Sequence, residues 1–122
     1  MQGKILVVDD EPDMLMMVDQ LLQDEGFTID TALDGMSALK KVQSFHPDLV
    51  LVDASMPIMS GFTLCETIKR NIATAAIPVI ILTGLQSQFA RLNGFAHGAN
   101  AYVTKPFVPN ELVAKINELL MT

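Results

Sequence analysis

The sequence carries one cysteine, one tyrosine, two histidines and no tryptophan in 122 residues. A lone Cys65 cannot close an internal disulfide, and no His/Cys cluster suggests a zinc cage, so stability must come from apolar burial. Cations are scarce too: eight Lys and Arg stand against fourteen Asp and Glu, a net charge of -6. That balance opposes non-specific attachment to nucleic acid or to anionic lipid, both of which repel an acidic surface. No apolar run approaches the roughly 20 residues that cross a bilayer. Met1-Gln2-Gly3-Lys4 leads into a strand-like run rather than a signal peptide. A reducing, cytoplasmic setting is expected. Composition breaks, internal repeats and low-complexity linkers are also missing, so residues 1–122 are expected to form one domain.

Apolar residues, by contrast, make up 50% of the chain. Four apolar, β-branched runs, at 4–8, 49–52, 77–82 and 101–104, end at Asp9-Asp10, Asp53, Thr83 and Lys105. A further strand is expected over 27–32. Between the strands lie helical patterns. Glu11-Pro12-Asp13 opens a helix carrying Met14, Val18, Leu21 and Leu22 and stopped by Gly26. A second helix carries Ala38, Leu39 and Val42 and is broken at His46-Pro47-Asp48. A third, over about 61–72, places Leu64, Cys65, Ile68 and Ile72 on one face. A fourth, over about 86–96, aligns Phe89, Leu92 and Ala96 before His97-Gly98. A last one, from about Pro109, carries Leu112, Ile116, Leu119 and Leu120. Five strands alternating with five helices imply right-handed crossovers and a parallel sheet covered on both faces. Ligands of such sheets bind outside the carboxyl ends of the strands.

Asp9, Asp10 and Asp53 gathered at that edge would repel one another unless a cation sat between them. With oxygen donors alone, Mg2+ or Mn2+ fits far better than zinc. Asp53, alone at its strand end, is the best nucleophile candidate, and Asp9-Asp10 suit a metal anchor. The Lys105 ammonium and the Thr83 hydroxyl are suited to phosphoryl oxygens, so the set supplies the positioning and charge neutralisation that phosphoryl transfer requires. Taken singly, each residue has a plainer role. The acids at 9–11 could cap a helix, Asp53 a loop, and Lys105 could be a solvated charge; their joint occurrence at strand ends favours a phosphoryl site. Cys65 reads as a small core residue, His46 and His97 as surface residues, and Met14, Met16 and Met17 as a core stripe plus an adjacent face, with core filling favoured over a partner-binding patch. A flavin or nucleotide carrier would need a Gly- or Ser-rich phosphate loop where Asp9-Asp10-Glu11-Pro12 stands. An aspartate-nucleophile phosphatase would carry a second Asp where Glu11 is.

These residues resemble the receiver domains of two-component response regulators over essentially the whole chain. The resemblance rests on Val7-Val8-Asp9-Asp10-Glu11, on Leu51-Val52-Asp53 followed by Met56-Pro57 and Gly61, on Leu82-Thr83-Gly84, and on Gly98-Ala99-Asn100-Ala101-Tyr102-Val103-Thr104-Lys105-Pro106-Phe107. It implies a flavodoxin-like, doubly wound sheet in the order 2-1-3-4-5. It also implies a phosphorylation switch rather than an enzyme, with at most slow self-dephosphorylation. Asp53 would accept a phosphoryl group from a phosphohistidine on a sensor kinase or phosphotransfer protein. Asp10, Asp53 and the Ser55 backbone carbonyl would hold Mg2+ directly, and Asp9 mainly through water. Lys105, before an expected cis Pro106, would bridge to the phosphoryl group. Thr83 and Tyr102 would reorient and reshape the surface of the fourth helix, fifth strand and last helix, the face available to an output partner or to a phosphorylation-dependent dimer. Ser60 and Asn100 stand where Asp is common in the family, and Ser55 and Leu85 occupy its variable flanking positions. An apolar Leu85 is expected to slow loss of the phosphoryl group. A receiver used only for docking would lack one of the key residues, and none is lacking. The end at Met121-Thr122 fits both a single-domain regulator and a segment of a longer one.

Overall fold

The computed structural model describes residues 3–84 and 98–121. Its elements follow in the order β1 (Lys4–Val8), α1 (Pro12–Asp24), β2 (Thr28–Ala32), α2 (Gly35–Phe45), β3 (Leu49–Asp53), α3 (Gly61–Arg70), β4 (Val79–Thr83), β5 (Ala101–Thr104) and α4 (Pro109–Leu120). The five strands form one sheet in the order β2-β1-β3-β4-β5, with every neighbouring pair parallel. The expected helix over 86–96 and its residues Phe89, Leu92 and Ala96 lie outside the described residues, as do Leu85 and His97.

Strand periodicity splits the apolar runs into two layers, because successive side chains point to opposite faces. Leu6, Val8, Val50, Val52, Val79 and Ile81 pack with Ala38 and Val42 of α2 and with Leu64, Cys65 and Ile68 of α3. On the other face, Ile5, Val7, Leu49, Leu51, Ile80 and Leu82 pack with Leu15, Val18 and Leu22 of α1 and with Leu112 and Ile116 of α4. Central β3 and β4 are buried at every position, which is why their sequences read as continuous apolar runs. Edge strand β2 is buried only at Ala32.

The helix ends follow local chemistry. Pro12 occupies the first turn of α1, where its missing N–H costs nothing, and Gly26 turns the chain out at φ 95°. Asp34 caps α2 by accepting a hydrogen bond from the Ser37 N–H at 2.7 Å, and α2 ends at His46 in the left-handed region, φ 54°.

Two expectations are corrected. Helix α3 stops at Arg70 rather than 72, and Ile72 is 96% exposed instead of lying on the apolar face. The physical reason is a set of competing hydrogen bonds. Thr74 Oγ1 donates to the Ile68 carbonyl at 2.6 Å, and Lys69 Nζ donates to the carbonyls of Ile77 at 2.6 Å and Ala75 at 3.2 Å. These fold the chain back beside the last turn. Met16 and Met17, read as core filling, are 70% and 51% exposed. The stripe of α1 runs through Leu15, Val18 and Leu22, with only Met14 and Leu21 packed at its margin.

Candidate functional site

Each singled-out residue sits where a strand stops. Asp53 and Thr83 are the last residues of β3 and β4, while Asp9 and Lys105 directly follow β1 and β5. The parallel register aligns these ends: Val8 pairs with Val52, Asp53 with Leu82, and Thr83 with Thr104. Backbone bonds carry the alignment past the strands, from the Ala54 N–H to the Leu82 carbonyl and from the Lys105 N–H to the Thr83 carbonyl, both 2.7 Å. Gly61 seats α3 directly on the end of β3. Its N–H donates to the Ala54 carbonyl at 2.9 Å, and a Cβ at this position would run into the Asp53 carbonyl. Only glycine permits that approach, a constraint that nothing in the spacing of the motif discloses.

Asp9, Asp53 and Thr83 are the buried polar residues among those described, 3%, 5% and 2% exposed. Carboxylate oxygens of Asp9, Asp10 and Asp53 lie within 4.8 Å of one another. Lys105 Nζ donates to Asp53 Oδ1 at 2.6 Å and stands 3.8 Å from Asp9 Oδ2. Asp9 Oδ1 accepts the Glu11 N–H at 2.9 Å, a turn that starts the chain toward α1. Burial pushes the Asp9 carboxyl above its ordinary range and the charges of Asp53 and Asp10 add to this, against the Glu11 N–H and Lys105. Burial also opposes the charge on Lys105, but the hydrogen bond and charge of Asp53, with Asp9 and Glu11 behind, hold the ammonium above its usual value. Three carboxylates with no His or Cys in their group among the described residues fit a hard divalent cation such as Mg2+.

Beside the carboxylates lies a cleft of about 480 Å3 lined by Asp53, Ala54, Ser55, Met56, Ser60, Phe62, Thr83 and Gly84. Among the described residues, nothing would meet a Cβ built on Gly84 within 4 Å. Tyr102 is buried on β5 in register with Ile81, and Lys105–Pro106 is a cis peptide. Ser60 caps α3 by accepting the Thr63 N–H at 3.2 Å. Asn100 Oδ1 accepts the Val79 N–H at 3.0 Å while its own N–H donates to the Val79 carbonyl at 2.9 Å. Both departures from the family pattern thus serve the backbone. Cys65 is buried in the core, where desolvation pushes its thiol up to about 11, and His46 lies exposed at the end of α2.

A sequence model of the response regulator receiver domain matches residues 5–117. The chain is 35% identical over 120 residues to the alkaline phosphatase synthesis transcriptional regulatory protein PhoP of Bacillus subtilis, covering 98% of this chain and 49% of that protein. It spans about half the length of most of the curated relatives it matches. Chemotaxis protein CheY4 of Vibrio cholerae superposes with a TM-score of 0.91 at 33% identity, covering 98% of this chain and 99% of that one. The receiver domain of a Pseudomonas aeruginosa sensor histidine kinase gives 0.91 at 25% identity over all of both chains, and that structure holds a magnesium ion in its active-site cleft.

Proposed function

The chain belongs to the response-regulator receiver family, and from that membership we propose that it is a phosphorylation switch whose phosphoacceptor is Asp53. The observation that carries the reading is the meeting of Asp9, Asp10, Asp53 and Lys105 at one sheet edge, with Lys105 Nζ 2.6 Å from Asp53 Oδ1. The donor is a phosphohistidine on a sensor kinase or histidine phosphotransfer protein. A carboxylate oxygen of Asp53 bonds to phosphorus, the phosphorus–nitrogen bond breaks and the donor imidazole leaves. Lys105 gives the phosphoryl group a charge-assisted hydrogen bond, and the Thr83 hydroxyl gives a second. Asp10, Asp53 and the Ser55 backbone carbonyl would hold Mg2+, with Asp9 acting mainly through water, and the ion would supply charge neutralisation; Mn2+ suits the same oxygens.

The added charge favours one arrangement of the loops after β3 and β4, biasing a two-state equilibrium. Thr83 moves toward the phosphoryl group, and Tyr102 turns inward behind it. The output surface includes β5 and α4, where an output partner or a second phosphorylated copy docks. Output is a surface change; the only turnover is slow hydrolysis of the acyl phosphate. No described helix is long and apolar enough to cross a membrane, and the acidic domain works in the cytoplasm without contacting nucleic acid or lipid. Beryllofluoride with Mg2+, a phosphoryl mimic, is expected to shift the amide resonances of Thr83 and Tyr102 in the parent and to leave those of Asp53→Asn in place. Equal shifts in the two proteins would remove Asp53 from the mechanism.

A further inference from the structure

The loop that leaves Asp53 closes on itself before α3 begins, because the Gly61 N–H donates back to the Ala54 carbonyl at 2.9 Å. Ala54, Ser55, Met56 and Ser60 of this loop line the cleft beside Asp53, so the course of the loop sets one wall of that cleft. At its tip the Met59 N–H donates to the Pro57 carbonyl at 2.7 Å across Ile58, whose φ is 69°. A three-residue turn of that hand is rare and strained, and a β-branched residue is poorly suited to it. Ile58 recovers nothing by burial, since its side chain is fully exposed. Its neighbour supplies the anchor. Met59 packs against the core and lies on Gly35, the buried first residue of α2. A Cβ on Gly35 would stand 2.5 Å from Met59 Sδ and 2.9 Å from its Cβ and Cγ. The tip of the methionine can swing away, but its Cβ moves only with the backbone.

We propose that Met59 and Gly35 are positioning residues for phosphoryl transfer: their contact holds the left-handed turn at Ile58, and the turn holds the wall of the cleft in which the phosphodonor meets Asp53. The inference rests on the reading of Asp53 as phosphoacceptor and adds a control that no charged residue carries. Gly35 does not have a positive φ, so the chain needs glycine there for the room it leaves to Met59 rather than for its backbone freedom. A contact that served stability alone would act differently. Its loss would lower the unfolding temperature and leave the folded protein reacting at the parent rate.

The rate of labelling by acetyl phosphate with Mg2+, in which an Asp53 oxygen bonds to phosphorus and acetate leaves, decides between the two at a temperature where thermal unfolding shows each protein folded. Gly35→Ala and Met59→Ala are expected to label at least about tenfold more slowly than the parent, the scale of a misplacement of about 1 Å. Met59→Leu, which refills the seat, is expected to stay within about threefold of the parent. Adding Gly35→Ala to Met59→Ala is expected to cost less than about threefold more, because most of the crowding leaves with Sδ and Cγ. Ile58 offers a second pair of variants that disturb no buried side chain. Ile58→Asn, which tolerates the left-handed region, is expected to keep the parent rate within about threefold, and Ile58→Pro, barred from that region, to slow at least about tenfold. In metal-free protein the Ser55 amide resonance is expected to move in Gly35→Ala. Parent-like labelling by Gly35→Ala or Ile58→Pro, full additivity in the double variant, or an unmoved Ser55 resonance overturns the inference and leaves Asp53 as the acceptor. A parent that takes no label on Asp53 overturns both. Where Gly35→Ala or Met59→Ala does not fold, the Ile58 pair carries the test.

Discussion

At the amino-terminal edge of the sheet, the Lys4 ammonium donates to the Phe45 carbonyl at 2.8 Å and lies 5.3 Å from the centre of the Phe45 ring, while its backbone N–H donates to Asp48 at 2.9 Å. Lys69, at the same edge, spends its charge on the carbonyls of Ile77 and Ala75. At the carboxyl edge, three carboxylates gather, and one ammonium pairs with two of them, Asp9 and Asp53, both buried. The first edge uses lysine to satisfy orphan carbonyls and close loops, which stabilises the fold. The second gathers an excess of one charge out of water, which costs stability and is sustained by the packing around it. Both edges belong to the same strands, so the difference comes from the connections, not from the sheet.

The sharpest way to break this division is at Gly61, where a Cβ would meet the Asp53 carbonyl and the Ala54 backbone. Gly61→Ala is expected to lower unfolding free energy by about 3 kcal/mol, since the crowding falls on backbone that cannot step aside. It should also displace Asp53 and weaken Mg2+ binding; denaturant unfolding and Mg2+ titration read the two effects together. At the opposite edge, Lys69→Met removes two hydrogen bonds to carbonyls. A loss of about 1–2 kcal/mol is expected, with Mg2+ affinity unchanged. A large change in that affinity would mean that the two edges are not independent.

The smallest effect has the opposite sign. Asp9 has its folded-state carboxyl raised above the ordinary 3.8, so the native state holds this proton more tightly than the unfolded chain does. The associated stability is complete below pH 3.8 and is lost as pH rises through the higher folded-state value. Asp9→Asn should therefore be more stable than the parent at neutral pH by about 1 kcal/mol, while binding Mg2+ more weakly. Chemical denaturation of both proteins across this pH range checks it: the advantage of the variant should vanish in acid.

Much of this organisation was legible in the sequence because two periodicities and four punctuation points carry it. Continuous apolar runs marked the strands, helical spacing of apolar residues marked the helices, and the polar residue at or just past the end of four strands marked the functional edge. What was not legible depends on contacts between distant segments. Ile72 continues the spacing of Ile68 perfectly well, but Lys69 and Thr74 end α3 before it by bonding to carbonyls in the following loop. Met16 and Met17 are as apolar as Leu15, yet only the latter points at the sheet. Asn100 reads as a departure from the family and turns out to bracket Val79. Spacing could assemble Asp9, Asp53 and Lys105 at one edge, but not the 2.6 Å hydrogen bond on which their electrostatics turn.

The central claim, that the charged edge exists to receive a phosphoryl group on Asp53, is tested most directly by incubating the protein with acetyl phosphate, with and without Mg2+, and locating the modification by mass spectrometry of its peptides. One phosphoryl group on Asp53, formed only with Mg2+ and absent from Asp53→Asn, is the expected result. Labelling that survives Mg2+ removal, falls on another residue, or persists in Asp53→Asn would contradict the account.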